Sequence, residues 1–76
     1  MSRSIREIAG EIRKDWYPVH PDALPYLGAM LRLESVNDTY GNDSAKSIIL
    51  YFLSNTRTWR GPVARRIKAE LNALVK

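Results

Sequence analysis

A chain of 76 residues is long enough for one domain, and it contains no cysteine. Disulfides, thiolate zinc sites and a cysteine nucleophile are therefore excluded, and packing alone has to hold the core. Hydrophobic residues make up 45% and charged residues 26%, which is typical of a globular protein. The formal net charge of +4 is concentrated in residues 57–76, which carry six basic side chains and one acidic one.

The first predicted helix runs from about Ser4 to Trp16. Ser4 and Glu7 have the spacing of a capping box, in which a hydroxyl and a carboxylate satisfy free backbone N–H groups. Apolar residues recur on one face, at Ile5, Ile8, Ala9, Ile12 and Trp16. The opposite face mixes basic and acidic side chains, which favours a helix packed on a core over one lying on a membrane surface.

Pro18 and Pro21 separate this helix from the next, because each disfavours helical backbone in the residue before it. The second predicted helix covers about residues 22–35, with Pro25 in the first turn, where its missing N–H is no loss. Gly28 lies inside this helix at a cost of about 1 kcal/mol relative to alanine. We expect it to allow another helix to approach closely.

A turn-rich loop follows at residues 36–43. Gly41 and Asn42 suit positive φ, and Asp43 is predicted to cap the next helix. Asp38, Asn42 and Asp43 could supply oxygen ligands, but their spacing does not follow the register of a calcium-binding loop. We therefore predict turn chemistry here, with no metal and no cofactor.

The third predicted helix, at about residues 43–55, contains six consecutive large apolar residues, 48–53. Ala45, Ile48, Ile49 and Phe52 recur at helical spacing, and the other apolar side chains lie off that stripe. A helix that is apolar nearly all round is usually surrounded by its neighbours. We therefore predict an all-α fold, in which a compact four-helix bundle-like domain spanning residues 1–76 packs around this central buried helix.

The last predicted helix covers about residues 61–75 and starts at Gly61 and Pro62, a common helix start. Its apolar face is formed by Val63, Ile67, Leu71 and Leu74. Arg66 and Glu70 are spaced to pair within the helix, which would contribute about 0.3 kcal/mol.

The basic C-terminal region is the candidate binding site. Its residues are Arg57, Trp59, Arg60, Arg65, Arg66, Lys68 and Asn72. An aromatic ring among guanidinium groups could stack on a nucleic-acid base, or it could anchor a protein interface. Alternatively, Trp59 packs inward and attaches the start of the last helix to the core. The sequence leaves all three interpretations open.

No catalytic centre is predicted. His20 is the only histidine, and it lies in the connection between two prolines. General acid–base catalysis needs a shaped pocket, which a chain of this size rarely encloses. We therefore expect a binding protein and not an enzyme.

Residues 61–71, Gly-Pro-Val-Ala-Arg-Arg-Ile-Lys-Ala-Glu-Leu, are similar to recognition-helix segments of bacterial regulators. In that interpretation Arg65, Lys68 and Asn72 would face DNA. The seven residues 55–61 before the helix are, however, longer than the short turn of a helix-turn-helix motif. DNA or RNA binding is thus the alternative to a protein partner.

The chain also resembles small helical proteins encoded by phages and prophages. The resemblance is carried by residues 4–9, 40–45, 51–55 and 59–71. It implies an accessory or anti-defence factor that binds a host or phage protein, or a nucleoprotein complex, in the bacterial cytoplasm. It transfers no functional residues.

A membrane location is not predicted, because the longest apolar run is six residues and a bilayer needs about 20. The first residues also lack the apolar core of a signal peptide. A homodimer is compatible with the sequence if Tyr17, Tyr40 or Leu50 is exposed.

Overall fold

The computed structural model describes residues 3–76, which form four helices and one two-stranded antiparallel sheet. The elements in chain order are α1 Ile5–Asp15, α2 Leu24–Met30, β1 Thr39–Tyr40, β2 Asp43–Ser44, α3 Ala45–Ser54 and α4 Pro62–Leu74. Helix α1 packs against α2 and α4, and α3 packs against the same two helices. The prediction of a mainly helical domain with four helices is confirmed. The sheet was not predicted, and the finer prediction of a four-helix bundle is not confirmed.

Helix α1 begins with the predicted capping box. The Ser4 hydroxyl accepts a hydrogen bond from the Glu7 backbone N–H at 3.1 Å, and the Glu7 carboxylate accepts one from the Ser4 backbone N–H at 3.0 Å. The backbone and hydroxyl donors of Ser4 lower the pKa of the Glu7 carboxyl, because both favour its charged form. Local sequence therefore determines where α1 starts.

Helix α2 ends at Met30, five residues earlier than predicted. The residues after Met30 instead cap the start of α1 with their backbone carbonyl groups. The oxygen of Glu34 accepts a hydrogen bond from the Ile5 N–H, and that of Leu33 accepts one from the Arg6 N–H, both at 2.9 Å. These two donors belong to the first turn of α1, where no partner exists within the helix. A tertiary contact thus overrides the helical propensity of residues 31–35.

The loop after α2 is ordered by Asp38. Its carboxylate accepts hydrogen bonds from the backbone N–H groups of Glu34 at 2.8 Å and Ser35 at 3.2 Å. Its own carbonyl accepts from the Ala45 N–H at 2.9 Å. Asp38 therefore has the turn-forming role that short acidic side chains commonly take in loops.

The sheet is a hairpin at residues 39–44 with Gly41 at φ 63° in its turn. Asp43 lies in its second strand, so the prediction that Asp43 caps the next helix is wrong. Ser44 is the cap instead, and its hydroxyl accepts a hydrogen bond from the Ser47 N–H at 3.1 Å. Serine and aspartate are equally suited to this position, so composition alone could not choose between them.

Helix α3 buries only the predicted stripe. The buried side chains are Ala45, Ile48, Ile49 and Phe52. Leu50 and Tyr51 remain 51% and 54% exposed, so the prediction that neighbours surround the helix on all sides is wrong. Tyr51 stacks on Tyr26, with ring centroids 5.6 Å apart, and this pair covers part of the outer face.

Gly28 does not contact another helix closely. A Cβ built at this position would meet no atom within 4 Å, so the predicted close approach is wrong within the described chain. The same holds for Gly10 in α1. Neither glycine has positive φ, because among the described residues only Gly41 and Gly61 do. The packing of this chain therefore does not require glycine at either helical position.

Candidate functional site

The connection at residues 55–61 positions the predicted site. Thr56 is buried, and its hydroxyl donates a hydrogen bond to the Leu53 carbonyl at the end of α3 at 2.8 Å. The backbone N–H of Trp59 donates a hydrogen bond to the Thr56 carbonyl at 3.0 Å, which closes a turn. Gly61 then takes φ 113°, a conformation that favours glycine, and leads into Pro62 at the first position of α4.

Trp59 is a core residue that is only 2% exposed. Its ring stacks on Trp16 with centroids 5.5 Å apart and planes 7° from parallel, and its Nε1 donates a hydrogen bond to the Asp15 carboxylate at 2.8 Å. The interpretation that Trp59 attaches the start of α4 to the core is confirmed. Its indole presents no free face to a base or a partner side chain, so Trp59 leaves the candidate site.

Lys68 also has a structural role. Its ammonium donates hydrogen bonds to the backbone carbonyls of Thr56 at 2.9 Å and Trp59 at 2.7 Å, and it lies 5.8 Å from the Trp59 ring centroid. Burial lowers the pKa of the Lys68 ammonium, and the positive charge of Arg60 lowers it further. Lys68 therefore holds the connection at residues 55–61 against α4 and does not point to solvent as a DNA-facing side chain.

Arg66 is engaged in an ion pair between helices. It pairs with Glu11 of α1, while Glu70 accepts two hydrogen bonds from Arg3, at 2.6 and 3.1 Å. Arg3 also donates to Glu11 at 2.6 Å. The predicted pairing of Arg66 with Glu70 is therefore wrong. The physical reason is that α1 lies beside α4, so Arg3 reaches Glu70 and holds it by a two-point contact, while Arg66 faces Glu11.

This network should make stability depend on acidity. Hydrogen bonds from Arg3 and Arg66 lower the pKa of the Glu11 carboxyl from its ordinary 4.5. The stabilisation is therefore present above that ordinary value and is lost as the pH falls through the lower pKa of the folded state.

We expect Glu11→Gln to lower the free energy of unfolding by about 1 kcal/mol at pH 7, because Glu11 and Arg3 are about one-third exposed and Arg66 about half exposed, so that solvent screens both ion pairs. The difference should shrink as the pH falls below 4.5, because the stabilisation from the ion pairs is lost as the folded-state carboxyl becomes protonated. Urea unfolding of both proteins across this pH range measures the effect. An equal loss at both ends of the range would contradict the ion-pair explanation.

The remaining candidates are exposed. Asn72 donates from Nδ2 to the Lys68 carbonyl at 2.8 Å, within its own helix. Arg57, Arg60 and Arg65 form no ion pair with any of residues 3–76. Within the predicted basic region, Trp59, Lys68 and Arg66 thus have structural roles. Arg57, Arg60 and Arg65 are exposed and remain available for binding.

Arg57 and Arg60 line an open polar cleft of about 620 Å³, which we call the arginine cleft. Its other lining residues are His20, Asp22, Ser54, Asn55 and Thr58. Asp22 is the one carboxylate among these residues, and it lies 3.9 Å from His20 Nδ1 without pairing with either arginine. Guanidinium, hydroxyl and amide groups together are suited to hold a carboxylate or a phosphate.

One wall of the cleft was not expected from the sequence. His20 lies in the predicted connection after the first helix and Asp22 at the predicted start of the second, both more than thirty residues before Arg57. The backbone N–H of Asp22 donates to His20 Nδ1 at 3.1 Å, which orders the turn on that side. No periodic pattern in the chain indicates that this turn lies beside the connection at residues 55–61.

Comparisons with known proteins find no match to this chain: no family profile fits it, and no curated protein or solved structure is significantly similar. Within residues 3–76, no helix is long and apolar enough to cross a membrane.

Proposed function

We propose that this chain is a non-enzymatic binding protein that attaches to an acidic surface of a protein partner through the arginine cleft. The observation that carries the proposal is that Arg57 and Arg60 are exposed on this cleft without an ion-pair partner among residues 3–76. Arg3 and Arg66, by contrast, are neutralised within the fold. Arginine is over-represented where planar carboxylates are recognised, because its guanidinium can donate two parallel hydrogen bonds.

The burial of Trp59 removes its ring as an anchor for either kind of partner, but single-strand binding relies on such a ring more than carboxylate recognition by arginine does. Binding of single strands usually combines a basic groove with aromatic rings on which bases stack, and the candidate ring is enclosed in the core. Lys68, one of the α4 side chains predicted to face DNA, is also not available for DNA, because its ammonium donates hydrogen bonds to two backbone carbonyl groups. Together with the resemblance to phage and prophage proteins, this supports an accessory or anti-defence factor in a bacterial host.

Nucleic-acid binding remains a second candidate because of Arg65. This arginine is exposed one turn into α4, and Arg57 and Arg60 are exposed in the connection just before that helix, so three arginines without an ion-pair partner among residues 3–76 lie within nine positions of the chain. The Arg60 Nε donates a hydrogen bond to the Arg57 carbonyl, which leaves the terminal nitrogens of Arg60 for a ligand. Three phosphate contacts would give a slope of about −2 to −3 when log affinity is plotted against log salt concentration. Fluorescence anisotropy of the labelled protein with single-stranded and duplex DNA, at low and physiological salt, measures this slope.

Capture from bacterial lysate tests the proposed protein partner. Three immobilised proteins are compared: the wild type, the double variant Arg57→Glu with Arg60→Glu, and the control Lys46→Glu with Lys76→Glu, which changes the net charge equally at exposed positions outside the cleft. We expect the wild type and the control to retain the same proteins after nuclease treatment. The cleft variant should retain them at least about tenfold less, because buried arginine contacts often dominate binding energy.

Three results would contradict this proposal. Equal retention by all three proteins, or no retained protein at all, would remove the arginine cleft as a protein-binding site. Retention that disappears on nuclease treatment, together with steep salt dependence in the anisotropy measurement, would favour the nucleic-acid candidate instead.

A further inference from the structure

We infer that the outer face of α2 docks an amphipathic helix of a partner protein, with acidic side chains beside its apolar stripe. This surface is separate from the arginine cleft. An open groove of about 760 Å³ runs between α1 and α2, and Gly10 and Gly28 line it from the two helices. Tyr17 and Leu24, which are 88% and 50% exposed, also line it and present unpartnered apolar surface.

A second groove of about 550 Å³ lies on the other side of α2. Pro25 and Tyr40 line it, and Gly28 and Leu31 border both grooves. Helix α2 therefore lies between two grooves, and its surface projects least at Gly28, which has no side chain. Helices pack by placing ridges into grooves, and a glycine at the crossing point allows the two backbones to approach closely.

The glycines have no internal explanation. A Cβ at Gly10 or Gly28 would meet no atom within 4 Å, and neither residue has positive φ. Alanine would suit both helices better, because glycine loses more backbone freedom on folding. The space that the missing side chains leave open faces solvent and borders the grooves, where a second helix would occupy it.

The charges around the grooves identify the occupant. Arg13 and Lys14 line the first groove and Arg32 lines the second, while neither groove is lined by a carboxylate. None of these three cations forms an ion pair with residues 3–76. An apolar stripe flanked by aspartate or glutamate complements this pattern. A second copy of this chain does not, because a twofold contact would bring the same cations together.

A displayed library of 16-residue helical peptides tests the inference. The wild type is compared with Gly28→Leu, which places a side chain over the crossing point, and with Ala73→Leu, which adds a leucine-sized side chain at an exposed position of α4. We expect enriched peptides to carry apolar residues at helical spacing with flanking acidic residues. They should bind Ala73→Leu like the wild type and Gly28→Leu at least about tenfold more weakly.

Further measurements separate docking from folding and from the arginine cleft. Gly28→Ala should raise the urea midpoint, because the added Cβ meets no atom and favours the helix. Circular dichroism should show Gly28→Leu folded, and the double variant Arg57→Glu with Arg60→Glu should still bind the enriched peptides. Enrichment without acidic residues, equal binding to Gly28→Leu, or no enrichment would overturn the inference. So would sedimentation that shows a wild-type dimer abolished by Gly28→Leu, which would assign the face to a second copy.

Discussion

Replacing Trp59 with alanine is expected to lower the free energy of unfolding by about 3–5 kcal/mol. The substitution removes a buried ring that stacks on Trp16, and it leaves a cavity where α1, α4 and the connection at residues 55–61 meet. It also removes the hydrogen bond from Nε1 to Asp15 and the ring beneath the Lys68 ammonium. A domain of this size has a total stability of roughly 4–11 kcal/mol, so the variant should be close to unfolding at room temperature.

Trp59→Phe is the matched control because it keeps an aromatic ring and removes only the indole donor and part of the volume. We expect it to lower the free energy of unfolding by about 1–2 kcal/mol and to remain folded. Urea unfolding followed by far-ultraviolet circular dichroism measures both variants. If Trp59→Ala changed stability by less than about 0.5 kcal/mol, as exposed positions do, the assignment of Trp59 to the core would be wrong.

Replacing Lys68 with methionine should give the second-largest loss, about 2 kcal/mol. Methionine preserves most of the aliphatic stem, so the change isolates the two charge-assisted hydrogen bonds to the Thr56 and Trp59 carbonyls. Removing the ammonium also removes the cost of burying a charge, which reduces the net effect. The loss should appear as a lower urea midpoint with an unchanged dependence on urea concentration.

Arg65→Met is the comparison for Lys68, because both residues are cations on α4 and only Lys68 is bonded to backbone carbonyls. We expect Arg65→Met to change the free energy of unfolding by no more than about 0.5 kcal/mol. Equal effects of the two substitutions would mean that the ammonium contributes nothing beyond its surface charge.

The parts of the fold that were predictable from sequence are those determined within a few residues. The capping box of Ser4 and Glu7, the buried stripe of α3 and the start of α4 at Gly61 and Pro62 all follow from local spacing. Each of these features satisfies backbone groups or buries apolar side chains of its own helix. Local sequence therefore carries the information.

The early end of α2 could not be predicted in this way. The carbonyls of Leu33 and Glu34 leave the helix to accept hydrogen bonds from Ile5 and Arg6, almost thirty residues earlier in the chain. The sequence of the second helix shows its own propensity but not the unsatisfied donors at the start of α1. The two-residue strands were missed for a similar reason, because such short strands carry no periodic signal.

In the candidate site, too, the sequence predicts some features, and tertiary packing determines the others. The sequence shows a cluster of basic residues, but Arg57 and Lys68 carry the same charge. Sequence alone therefore does not tell which of them is exposed and which has a structural role, whereas their packing does. Lys68 is directed at two carbonyls of the connection at residues 55–61, whereas Arg57 stays on the arginine cleft. The turn at His20, which forms the opposite wall, is joined to the cleft by tertiary structure alone.

The most direct test of the division between structural and available arginines is a nuclear magnetic resonance titration. Arginine Nε–Hε signals of ¹⁵N-labelled protein would be followed while a hexaglutamate peptide is added at low ionic strength. The signals of Arg57 and Arg60 should shift with the added peptide, and those of Arg3 and Arg66 should stay in place, because their guanidinium groups are already bound to glutamates. Equal shifts of all four signals, or shifts confined to Arg3 and Arg66, would contradict a binding role for the arginine cleft.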